Sequence, residues 1–224
     1  MLKFLAVNFK QNVTHFKNHI WSVGVHGFIT LKKINIMRTK NFLTTAFFAL
    51  MIFATTTIFA QKGKTVMVGG AAMYPSKNII ENAVNSKDHT TLVAAVKAAG
   101  LVETLQGKGP FTVFAPTNAA FNKLPKGTVE TLLKPENLKL LQTILTYHVV
   151  AGKMSAANIV AAIKLGGGKA TLKTVSGGSL TARLKGSSVY LTDENGKSAK
   201  VTIANVNQSN GVIHVINAVL TPKS

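Results

Sequence analysis

The chain contains no cysteine. That excludes a disulfide framework, a thiol nucleophile, a zinc site of the cysteine type and a lipid-anchored cysteine. An exported domain of this composition must stand on its hydrophobic core alone. Acidic residues are also scarce: 7 Asp and Glu face 26 Lys and Arg in 224 residues, a formal net charge of +19. A glycosidase needs two carboxylates placed across the scissile bond. The one adjacent acidic pair here, Asp193-Glu194, lies in turn sequence and reads as solvated. There is one tryptophan, so Leu, Ile, Val, Ala and Phe must build the core. No HExxH, no G-x-S-x-G and no phosphate-binding strand–loop–helix pattern occurs. Neither a catalytic residue, a metal site nor a cofactor is expected.

What is present begins with an export pattern. Met37-Arg38-Thr39-Lys40 is a short basic stretch, Phe42 to Phe59 is apolar apart from threonines, and Ala60 is a small residue at its end. That order reads as a cleavable secretion signal over residues 37–60. A membrane anchor is the competing reading, because ~18 apolar residues just span a bilayer. Residues 1–36 lack a clear period of 2 or 3.6 and read as an upstream extension, through a start assigned too early, or as disorder. His15, His19 and His26 are therefore not taken as a metal cluster. Residues 1–60 hold seven basic residues (Lys3, Lys10, Lys17, Lys32, Lys33, Arg38, Lys40) and no acid, so residues 61–224 carry 19 basic against 7 acidic, a net of +12. All but Arg183 of those cations are lysines, a diffuse field rather than a base-reading cluster. The expected partners are an extracellular protein, a polysaccharide or an anionic cell surface, and not nucleic acid.

Residues 61–77, with Gly69-Gly70 and Pro75, read as an exposed linker. Residues 78–222 read as one domain, with no repeat at a 20–50 residue period. Asn78–Val84 is expected as a short helix packing Ile80 and Val84. Thr91–Ala99 is expected as a second, capped by Thr90 and ended by Gly100. Phe111–Ala115 reads as a buried strand that turns at Pro116 into a helix capped by Thr117. Short helices follow at 128–133 and 135–145, and Tyr147 to Val150 reads as a return to strand. After a helix at 155–164 the chain is β-rich: 170–175, 179–184, 188–193, 199–204 and 212–220, with Glu194-Asn195-Gly196 as a hairpin turn. Helices first and strands later give an α+β class.

Three segments fall in an order that resembles the fasciclin domain family. Thr112-Val113-Phe114-Ala115-Pro116-Thr117-Asn118-Ala119-Ala120-Phe121 resembles its first signature. Tyr147-His148 resembles its central pair. Asn210-Gly211-Val212-Ile213-His214-Val215-Ile216-Asn217-Ala218-Val219-Leu220 resembles its second signature. The resemblance implies short N-terminal helices packed on a β-sandwich or wedge of mostly C-terminal strands. It also implies a secreted, periplasmic or surface location and a role in adhesion or matrix binding. It implies no catalysis. In animal members the Tyr-His pair and its aliphatic neighbours are linked to integrin binding, so Tyr147, His148, Val149 and Val150 are the candidate partner-binding residues. Core packing of the same pair is the alternative. Thr112, Phe114, Ala115, Pro116, Thr117, Phe121, Asn210, Gly211, His214 and Asn217 are expected to be mainly structural. The family usually has Asp where this chain has Asn217, and often an acid where it has Ala119, so a carboxylate-dependent site is not expected. A glycan-acting enzyme, a small-ligand carrier and a structural coat protein are the competing functions.

Overall fold

A computed structural model of the chain describes residues 64–223. The export segment and the upstream extension lie outside the described residues. The helical half comes first. Helix α1 spans Ile79–Ala83, α2 Thr90–Ala98, α3 Val102–Gln106, α4 Asn118–Phe121, α5 Thr128–Leu132 and α6 Leu138–Tyr147. Helix α7, Ala156–Leu165, interrupts the later strands. Their starts are chemically marked. Asn78 and Glu81 form a reciprocal capping box on α1, Thr117 caps α4, and Ser155 with Asn158 caps α7.

Strands β1 (Val66–Val68) and β2 (Ala71–Met73) pair as a separate hairpin. The remaining strands are β3 (Phe111–Pro116), β4 (Val149–Ala151), β5 (Lys169–Lys173), β6 (Ser179–Lys185), β7 (Ser188–Thr192), β8 (Ser198–Gln208) and β9 (Gly211–Ile216). They form one seven-stranded order, β4-β3-β9-β8-β7-β6-β5. Every pairing is antiparallel except β3 with β9, which run parallel from Phe111 opposite Gly211 to Pro116 opposite Ile216. Register shifts in β8 between Val201 and Ile203 and between Ile203 and Val206 bend the sheet there.

All six residues of β9 and five of six in β3 are buried. Their alternation serves two cores. Val113, Ala115, Ile213 and Val215 face the first, with α1, α2 and α6 above them. Phe114 and Ile216 face the second, with α7 and the inward residues of β5–β7. A strand buried on both faces reads as a continuous apolar run, which VIHVI nearly is.

Several expectations are corrected. The segment expected as an exposed linker contains β1 and β2, and Val68 and Met73 are buried in the first core. Three-residue strands are too short to show a period. Val84 caps α1 from outside and is exposed; Ile79 packs in its place beside Ile80. His89, not Thr90, holds the cap position of α2. Tyr147 is the last residue of α6 and His148 its cap, so the strand begins only at Val149. The second signature leaves the sheet after Ile216, because Asn217 turns back to bond Lys200.

Two outcomes test this architecture. Phe114 is fully buried and stacks on His214 with ring centroids 5.7 Å apart. Phe114→Ala should therefore cost about 3–5 kcal/mol in denaturant melts, and a loss under about 1 kcal/mol would contradict its burial. A chain cut to begin at Pro75 should unfold at clearly lower denaturant than one beginning at Lys64. Equal midpoints would restore the linker.

Candidate functional site

Tyr147, His148, Val149 and Val150 sit where α6 hands over to β4. All four are buried, at 0%, 3%, 6% and 6% exposure. A partner cannot rest on these side chains while the domain is folded. The reason lies in what they bond. The Tyr147 hydroxyl donates to the Ser179 carbonyl (2.7 Å) and accepts from the Glu194 N–H (3.3 Å). Burial, with the Glu194 and Asp193 charges adding, pushes its pKa up to about 12 against the help of that N–H. Its ring leaves no room at Gly178, where a Cβ would stand 2.7 Å from Cε2.

His148 Nδ1–H donates to the Ile144 carbonyl (2.8 Å), and Nε2 accepts from the Leu220 N–H (3.1 Å). Only the neutral ring can do both. Burial is the main cause that lowers its pKa to about 4. Asp193, expected as solvated, is buried as well. Its carboxylate accepts from the Asn195, Lys197 and Thr221 N–H groups at 3.0, 2.8 and 3.0 Å. Glu194 accepts from the Ser179 and Lys223 N–H groups. The pair therefore straps the C-terminal residues to the β7–β8 turn, a role the adjacency of two acids does not reveal.

The signature residues are likewise committed to the fold. Thr112 Oγ1 donates to the Gly152 carbonyl (2.6 Å) and accepts from the Met154 N–H (2.8 Å). Asn210 Oδ1 accepts from the Ile79 N–H (3.0 Å), and its amide donates to the Leu105 and Gly107 carbonyls. It ties β9 to two helices, beyond its expected turn. Gly211 lies so close to β3 that a Cβ would collide with the Phe111 carbonyl. His214 is a core histidine: Nε2 bonds the Met154 carbonyl (2.8 Å), and burial lowers its pKa. Asn217 Oδ1 accepts from the Lys200 N–H (2.8 Å), a contact an Asp would also make. Ala115, Pro116 and Phe121 are buried, and Thr117 Oγ1 accepts from the Ala120 N–H. Sequence reasoning missed Asn82, which is fully buried, pairs with Gln208 and holds both the N–H and the carbonyl of Tyr74.

Two of the hollows among the described residues have a core histidine in their lining. A cavity of about 90 Å³ lies between the β1–β2 hairpin, α1, α2 and the sheet. Aliphatics such as Met73, Ile80, Val96 and Val113 line it, with His89 among them. His89 Nδ1 meets Ser86 Oγ (2.9 Å), but Nε2 has no partner. The Ala115 carbonyl is near enough to favour a proton on the ring, yet makes no hydrogen bond there; burial dominates and lowers the pKa. The Ser86–His89 pair is no nucleophile, because no acid orients the ring and both residues are buried. A groove of about 490 Å³ runs between α4, α5, α6 and the C-terminal residues, with Leu140 half-exposed on it. No group of three metal-capable side chains is found among the described residues. No helix among them is long and apolar enough to cross a membrane.

The neutral state of His148 has a measurable consequence. Its folded pKa lies below the unfolded value of 6.5, so the unfolded chain takes the proton first as pH falls. The stability it contributes is whole above about pH 6.5 and is lost by about pH 4. Urea melts across that window should show a loss of about 3 kcal/mol attributable to this residue. A His148→Gln chain should be weaker at neutral pH yet show a shallower slope. An identical slope would contradict the assignment.

The sequence model of the Fasciclin domain matches residues 87–222. Protein sll1483 of Synechocystis sp. is 46% identical over 159 residues, which cover 71% of this chain and 81% of that protein. The cell surface glycolipoprotein MPB83 of Mycobacterium bovis is 33% identical over 187 residues, covering 75% of this chain and 77% of that one. Among solved structures, a FAS1 domain pair from the insect cell adhesion molecule Fasciclin I superposes with a TM-score of 0.59 at 18% identity. That match covers 66% of this chain and about half (51%) of the solved pair, and at that identity it speaks for the fold alone. The motif order and these matches agree: the chain belongs to the fasciclin domain family.

Proposed function

We propose that the chain is a secreted or surface-exposed binding module that mediates adhesion or contact with a surrounding matrix, and that it is not an enzyme. The observation that carries this reading is an excess of positive charge on the outside of a domain whose signature polar groups are used up inside. Residues 61–224 carry a net of +12. The buried histidines are satisfied as neutral groups or lie in apolar surroundings. What remains for a partner is a cationic exterior, which favours anionic surfaces and weakens with salt. One relative is named as a cell surface glycolipoprotein, and the solved pair comes from a cell adhesion molecule. The export pattern at 37–60 fits the same location.

A second reading, a carrier of a small apolar molecule, draws on the interior cavity and the unpartnered His89 Nε2. The cavity is small, and binding there would be independent of salt.

The exported protein, recovered with an N-terminus close to Ala60, should hold coated beads to cell surfaces or matrix at low salt. It should release them by about 0.5 M salt, where the Debye length falls to a few Å. Protein confined to the cytoplasm, or beads that never adhere, would defeat the adhesion reading.

A further inference from the structure

The strands of the basic half place their outward side chains in rows that cross the sheet. The registers set Lys169 of β5 opposite Arg183 of β6, Arg183 opposite Tyr190 of β7, and Tyr190 opposite Lys200 of β8. Four residues separated by 14, 7 and 10 positions in sequence thus form one line across four strands. With strands about 4.8 Å apart, the line is roughly 14 Å long. Lys185 adds a further cation, its Nζ 5.0 Å from the centre of the Tyr190 ring. One row along, about 7 Å away, Thr171, Thr181, Thr192 and Ser198 face each other in the same way.

Lys169, Thr171, Arg183 and Lys185 are exposed on this face, and the opposite face is the core. Ala170, Leu172, Leu180, Ala182, Leu191 and Ala199 alternate with these residues and pack under α7. No acidic residue occupies any outward position of β5, β6, β7 or the first three residues of β8. Past the hydroxyl row, Asp193 is buried and the Glu194 carboxylate is held by the Ser179 and Lys223 N–H groups. A line of cations with no anion between them is electrostatically unfavourable for the isolated domain. A partner carrying regularly spaced negative charge relieves that repulsion.

We propose that the outward face of β5–β8 is a docking surface for a linear anionic polysaccharide, laid along the line Lys169–Arg183–Tyr190–Lys200. This rests on the adhesion reading and gives it a site. The cations meet carboxylate or sulfate groups, with Arg183 able to grip one bidentately. Tyr190 offers a flat ring for the apolar face of a sugar, and the hydroxyl row offers donors and acceptors to sugar hydroxyls. The chemistry of the face selects this partner. A lipid surface wants several apolar side chains to insert at the headgroup boundary, and no aliphatic side chain of β5–β7 points outward here. A single-stranded nucleic acid wants successive aromatic platforms, and this line has one.

The test compares two pairs of substitutions with equal charge change in the exported protein. One is Lys169→Glu with Arg183→Glu, on the line. The other is Lys134→Glu with Lys139→Glu, both exposed on the helical side. Binding is measured by surface plasmon resonance to immobilised heparin and alginate, with dextran as neutral control and phosphatidylglycerol vesicles as the lipid arm. Far-UV circular dichroism and melts confirm folding. The line pair should weaken polysaccharide binding about tenfold or more while the helical pair changes it within about twofold. Tyr190→Ala should weaken binding, and Tyr190→Phe should restore most of it. Equal losses from both pairs would mean a diffuse field and overturn the proposal. Parent protein that binds vesicles but neither polysaccharide would overturn it too. Parent protein that adheres to cells but ignores heparin and alginate would sink this site while leaving the adhesion reading intact; beads that adhere to nothing would sink that reading itself.

Discussion

The parallel pairing of β3 with β9 is the constraint on which the rest depends. It joins residues 111–116 to residues 211–216, a hundred positions apart. Closing a loop of that length costs about 4 kcal/mol of chain entropy, and there is no disulfide to hold it. The strands repay this by burying both faces. Val113, Ala115, Ile213 and Val215 go to one core, Phe114 and Ile216 to the other. Once the pair is set, β4 can add only at the free edge of β3, and β8 only at that of β9. The parallel direction also leaves both strands ending on the same side, where α4 leaves β3 under the Thr117 cap and Asn217 meets Lys200.

The scarcity of acids shapes the polar interior. Asp193, Glu194 and Glu81 all accept backbone N–H groups, at a turn, a strap and a helix start. Carboxylates used in this way are not available to neutralise lysines. His148 and His214 stay neutral with rings between backbone groups, as His148 lies between Ile144 and Leu220, and His89 stays neutral through burial in apolar surroundings. Positive charge is thereby kept out of the core and left uncompensated on the surface. Interior economy and exterior field are two results of one composition.

Local chemistry was readable in the sequence where it acts within a few residues. The turn from TVFAPT into a capped helix, the Asn195-Gly196 turn and the core position of His214 follow from residues within a short window. The β1–β2 hairpin did not, because three-residue strands carry no usable period. The end of α6 was misplaced because Tyr147 suits a strand by propensity, while the partners that fix the pair, Ser179 for the Tyr147 hydroxyl and Leu220 for His148 Nε2, are tertiary facts. The candidate site at Tyr147–Val150 failed as a surface for the same reason: the pair is fixed by the core. The line from Lys169 to Lys200 was illegible because it exists only across strand registers.

These two kinds of position answer to different constraints. A change at Phe114, Asn210 or His148 disturbs packing or leaves a buried group unpaired, which costs kilocalories. A change at Thr181, Arg183 or Lys200 alters an outward side chain and typically moves stability by no more than about 0.5 kcal/mol. The signature segments therefore hold the scaffold together, while the outward rows of β5–β8 carry side chains on which the core does not depend. In this chain those rows hold cations, hydroxyls and one aromatic ring, and it is their alignment across strands, set by the sheet register, that turns scattered lysines into a surface.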